Sequence, residues 1–149
     1  MKEYQTAEFI MNEFASKTGL SDLSKPSERY LWTDAFAVCN FLELYSQTKE
    51  EQYKEISLLL VDMVHSSLGH YHNGDKRIGW ISGLNNGDTH PTIGGLRIGK
   101  RMLERAPGEV YDKVKEWDRD GQYFNYLTKW MHALNQVTIV TKEEKYNRW

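Results

Sequence analysis

A chain of 149 residues is long enough for one domain with a real core and short for two. With 40% apolar and 27% charged residues it reads as globular rather than disordered. Nineteen basic against 21 acidic side chains, a net charge of −2, give no electrostatic case for nucleic acid. The lone cysteine, Cys39, lies in an apolar run and is read as a small core hydrophobe rather than a catalytic thiol; it excludes an internal disulfide. The first ten residues hold no apolar run of the secretory kind, and purely apolar runs such as residues 58–61 are far short of a membrane span. A soluble, cytoplasmic chain with no membrane contact is therefore expected.

Hydrophobic periodicity predicts a first helix over residues 6–17, with Ala7, Ile10, Met11, Phe14 and Ala15 on one stripe and Gly19 just past its end. Residues 20–29 form a polar connection. A second helix is predicted over 30–47; its apolar positions cover most of the circumference, so it should be buried on nearly all sides. The third, over 50–68, is amphipathic: Tyr53, Ile56, Leu59, Leu60, Met63 and Val64 oppose Lys54, Glu55, Asp62 and Ser66. A fourth, over 121–140, carries Tyr123, Leu127, Trp130, Leu134 and Val137 on one stripe, widened by Phe124, Met131 and Val140, and is again expected to be mostly buried. Residues 142–149 read as the opening turns of a fifth.

An internal repeat links these helices. Thr48-Lys49-Glu50-Glu51-Gln52-Tyr53 recurs as Thr141-Lys142-Glu143-Glu144-Lys145-Tyr146, 93 residues downstream. At the same offset Tyr30 falls on Tyr123, Leu31 on Phe124, Phe41 on Leu134 and Leu44 on Val137. The unit is a buried helix, a turn with a Thr N-cap and acidic first turn, then an outer helix; it occurs once whole and once cut short.

Between residues 69 and 121 lie all the glycines except Gly19. A connection of about 50 residues far exceeds the usual 4–6 and points to a functional loop. Its aromatic and aliphatic content, with Tyr71, Trp80, Ile81, Leu96, Ile98 and Trp117 among others, argues for order. His70, His72, Asp75, Asp88 and His90 raise the question of a metal; without Cys or recognisable second-shell partners they read better as solvated or substrate-contacting groups, and no metal or cofactor is expected. Gly94 to Arg101 offers glycines and cations suited to an anion but lacks phosphate-loop spacing. Arg97 is suited either to forking a substrate carboxylate or to satisfying loop carbonyls. The densest patch is residues 117–126, where Trp117, Asp118, Arg119, Asp120, Gln122, Tyr123 and Tyr126 meet at the entry to a buried helix; Asp120 there also suits an N-cap. Asp34, behind Trp32 and Thr33, suits either capping or chemistry.

The motif Tyr30-Leu31-Trp32-Thr33-Asp34 opening one buried helix, the patch at 117–126 opening another, and the repeated hairpins together resemble the six-hairpin glycosidase-like proteins, among them unsaturated glucuronyl hydrolases and N-acylglucosamine-type epimerases. The resemblance implies an all-α fold of antiparallel helical hairpins forming part of an (α/α)6 toroid, with one long inserted loop at about 69–120 in a single domain. A closed ring needs about 300 residues, so it further implies the N-terminal portion of a toroid. It implies a carbohydrate-active protein acting on a carbohydrate or uronate-type small molecule, with Asp34 and Asp118 as acid or base. Trp32, Trp80, His90, Arg97, Trp117, Gln122, Tyr123 and Tyr126 would contact the substrate. The alternative is a non-catalytic ligand-binding or oligomerising helical scaffold, with self-association covering exposed helical faces.

Overall fold

The computed structural model describes residues 4–149. Among them every regular element is helical: α1 (Tyr4–Lys17), α2 (Leu31–Thr48), α3 (Glu51–Leu68), α4 (Lys113–Glu116), α5 (Phe124–Thr141) and α6 (Lys145–Arg148), with one 3-10 turn at Gly87–Thr89. Extended pairing is limited to two isolated bridges, His70 with Trp80 and Met102 with Arg119. No helix is long and apolar enough to cross a membrane.

The central element is α2, which packs against α1, α3 and α5. Its residues Leu31, Val38 and Phe41 are fully buried, as the near-continuous apolar circumference requires. One cluster joins them to Leu60, Val61 and Val64 of α3 and to Trp130, Leu134 and Val137 of α5. Each such aliphatic side chain contributes about 1.5–3 kcal/mol on burial. Cys39 is half-buried at the edge of this cluster, and burial pushes its thiol pKa up.

Two expectations about burial need correction. Only Met11 and Ala15 of the α1 stripe are buried, while Ala7 and Ile10 are exposed, because α1 covers α2 along a narrow edge. And α5 is not buried all round: Phe124, Met131 and Ile139 stand open to solvent. It also starts later than its periodicity suggests. Gly121 sits at φ +151°, outside helical space, and Tyr123 is still extended.

The repeat is carried by matching turns. Lys49 and Lys142 follow α2 and α5 in the left-handed region, at φ 63° and 64°. The Thr48 and Thr141 hydroxyls each donate to a carbonyl one turn back, at 2.8 Å, and each accepts the N–H two residues on, at 3.2 Å. Thr therefore ends the first helix and bridges into the next rather than capping it; the N-cap of α3 is Glu50. Tyr53 and Tyr146, at equivalent places, are both buried.

Candidate functional site

The long segment between α3 and α5 does not lie over the helices as a flap. Leu96 and Ile98 plunge into the core, and the stretch around them threads between the N-termini of α2 and α5. Leu31 N–H donates to Ile98 O at 3.0 Å, and Ile98 N–H donates to Gly121 O at 2.8 Å. Arg97 fixes the stretch to the end of α3. Its backbone N–H donates to Leu68 O, Nη2 to Ser67 O and Nε to His70 O, while Nη1 pairs with Asp120 at 2.7 Å. A cation closing the carbonyl end of a helix is favoured by the dipole. All three guanidinium nitrogens are thus engaged within the protein, and the structure takes the carbonyl-satisfying side of the two readings of Arg97.

Asp120 is equally committed. It accepts from Arg97 and from the N–H groups of Gly99 and Gly121, so it organises the loop, and the N-cap of α5 is Tyr123. Gln122 reaches back to Gly94 O at 3.1 Å across Gly95, whose φ is +82°; a Cβ there would fall on the Gln122 amide. Trp80 is packed inside the loop, its ring 3.9 Å from that of His70, and Gly87 is a glycine because an added Cβ would strike the indole. His90 closes the 3-10 turn through its backbone, with its Nδ1 buried and unpaired. Among the described residues neither Trp80 nor His90 makes a ring contact with Tyr30, Trp117 or Tyr126. Among the described residues no three His, Cys, Asp or Glu side chains converge as metal ligands.

Around the two helix mouths the aromatics do converge. The hydroxyls of Tyr30 and Tyr126 are 2.5 Å apart, and burial with this contact pushes the Tyr30 pKa to about 12. Trp32 meets Tyr126 edge-on at 5.1 Å, and Tyr123 stands 5.8 Å from Tyr126. Trp117 is 77% exposed, and the Lys100 ammonium lies between its ring and that of Tyr30, 5.2 Å from each centroid. Tyr30 and Lys100 also line a cavity of about 450 Å³ whose wall includes Arg29, Arg97, Arg101 and Asp118. Tyr30, Lys100 and Arg29 are absent from the sequence-derived site. Tyr30 was legible as the repeat partner of Tyr123, and Lys100 as part of the cationic loop. Arg29 gave no signal, since its partner Asp34 is out of helical register with it.

The two carboxylates have separate fates. Asp34 is buried in the first turn of α2, accepts Tyr30 N–H at 3.1 Å and faces Arg29 Nη1 at 3.6 Å. Burial raises its pKa to about 6, against the lowering pull of Arg29. It does not line the cavity. Asp118 is exposed on the cavity wall. Asp34 thus serves the helix start, while Asp118 faces solvent.

A further titratable group escaped the sequence reading. His65, buried in α3, accepts the indole N–H of Trp130 at 3.0 Å, and burial lowers its pKa to about 4. An indole only donates, so His65 Nε2 is unprotonated and the ring is neutral. No protein-family model, curated protein or solved structure matches the chain.

Proposed function

We propose that the chain recognises a carbohydrate at the mouth formed by the N-termini of α2 and α5. The observation that carries this reading is the exposed Trp117 ring, which shares the Lys100 ammonium with Tyr30 and directly precedes Asp118, while Tyr30, Lys100 and Asp118 all line a cavity with polar walls. Flat aromatic faces stack on the apolar C–H face of a sugar, while Asp118 and the Tyr30–Tyr126 hydroxyl pair supply hydrogen bonds to its hydroxyls. In this reading Trp117, Tyr123, Tyr126 and Trp32 form the platform, and Arg97 and Gln122 act by holding the loop that positions it. Asp118 is the carboxylate available for acid–base work. With Asp34 sequestered, recognition is better supported than two-carboxylate hydrolysis. The hairpin repeat and its matched turns support the further reading that α2–α3 and α5–α6 are successive units of an α/α toroid.

Titrating mono- and oligosaccharides against Trp fluorescence and calorimetry tests recognition. A binding sugar should lose at least tenfold affinity in Trp117→Ala with the melting temperature unchanged. Saccharides that bind equally well without Trp117 would refute this placement.

The scaffold reading has its own support in Phe124, Met131 and Ile139, a solvent-facing apolar stripe on α5 suited to self-association. Light scattering over a concentration series decides it: a strict monomer at high concentration removes that reading.

A further inference from the structure

Arg29 is the most deeply buried cation of the mouth, its side chain only 1% exposed. Its Nε donates to Glu28 O at 2.9 Å and its Nη2 to Thr18 O at 2.7 Å. Nη1 has no hydrogen-bond partner, and the nearest carboxylate oxygen, on Asp34, stands 3.6 Å away. A guanidinium stays charged at any working pH; Asp34 is its buried ion-pair partner, but Nη1 is left without a hydrogen bond and keeps donor capacity. Arg29 lines the cavity together with Lys100 and Arg101. Among the described residues neither of those two forms an ion pair with a carboxylate. Their backbone N–H groups, directly after Gly99 at φ +93°, are likewise without an acceptor among the described residues. Consecutive free N–H groups beside cations make an anion-binding concavity. The acids on the same wall, Glu28 and Asp118, neutralise none of these groups by contact.

We infer that this cavity is an oxyanion subsite, in which Arg29 anchors, and Lys100 and Arg101 flank, a carboxylate or phosphate group carried by the ligand. The inference rests on the carbohydrate reading only for the rest of that ligand. Lys100 is held by two ring faces and no carboxylate, so its ammonium is free to pair with the oxyanion. Arg97, although on the same wall, takes no part, because each of its nitrogens already donates within the protein and its charge is paired with Asp120.

Calorimetric titration of the full chain with D-glucose, D-glucuronate, D-glucose 6-phosphate and inorganic phosphate, at low and high salt, tests this. One or both anionic sugars should bind at least tenfold tighter than glucose, with an advantage that shrinks in high salt; which of the two gains tells carboxylate from phosphate. The double variant Lys100→Ala/Arg101→Ala, altering groups without structural ion pairs, should abolish the advantage and leave glucose binding unchanged. Arg29→Lys, which keeps the charge but not the fork, should lose most of it, with folding checked by circular dichroism. Anionic sugars no tighter than glucose, or an advantage that survives the double variant, would overturn the subsite and leave carbohydrate recognition standing. Inorganic phosphate bound as tightly as the sugar phosphate, with glucose unbound, would keep the subsite and overturn the carbohydrate reading.

Discussion

The α2–α3 and α5–α6 halves share a turn down to its hydrogen-bond lengths yet differ in what surrounds it. In the first half Leu31 and Val38 are fully buried. Their counterparts 93 residues on, Phe124 and Met131, are 81% and 66% exposed. The same local chemistry therefore does not dictate the same burial. Turn geometry is set by five or six residues, whereas burial depends on neighbours: α2 has α1, α3 and α5 around it, while α5 packs mainly on α2 and the single turn of α6, with Trp130 reaching His65 of α3.

Matched substitutions break or sharpen this contrast. Leu31→Ala should cost about 3 kcal/mol in denaturant unfolding, since it opens a cavity in packed surroundings. Phe124→Ala should cost less than about 0.5 kcal/mol. Equal losses at both positions would mean that α5 is covered in solution, as self-association would require.

Two buried titratable groups, both in the α2–α3 half, pull stability in opposite directions. Asp34 of α2 titrates near pH 6 in the fold against an ordinary 3.8, so the folded chain holds the extra proton between those values and stability falls as pH rises. His65 titrates near 4 against 6.5, so there the unfolded chain holds the proton and stability rises with pH. Over pH 4 to 6.5 the two gradients oppose each other, and the parent chain should show a nearly flat profile. Asp34→Asn should unmask the rise, by up to about 3 kcal/mol, and His65→Gln, which can still accept from Trp130, the fall. Urea midpoints across that range read both; three parallel profiles would dismiss the assignment.

The smallest expected effect addresses the shared feature. Lys49→Gly and Lys142→Gly should each stabilise by about 0.5 kcal/mol, because glycine enters the left-handed region without a Cβ penalty. Gains that differ in sign would show that the turns are alike in shape but not in strain.

Helix positions were largely legible, because a period of 3.6 survives in Leu31, Val38 and Phe41 whatever the surroundings. The solvent-facing side of α5 was not, since a stripe such as Phe124 and Met131 looks the same whether or not a neighbour exists to cover it. Of the site, Trp117 and Tyr126 could be found as a dense local patch. Arg29 and Lys100 could not be joined to it, for the contact depends on a loop that carries residue 100 back to residue 30. The roles of Arg97 and Asp120 were undecidable without knowing which carbonyls and N–H groups lay nearby.

That threaded loop makes the two helix mouths mechanically one object. Leu31 hangs its amide on Ile98, and Ile98 hangs its own on Gly121, while Arg97 bolts the same stretch to the end of α3. The spacing between Tyr30 and Tyr126 is therefore set by a strut, not left to the helices. In hydrogen exchange the amides of Leu31 and Ile98 should open together, and a ligand gripping the rim should slow both at once.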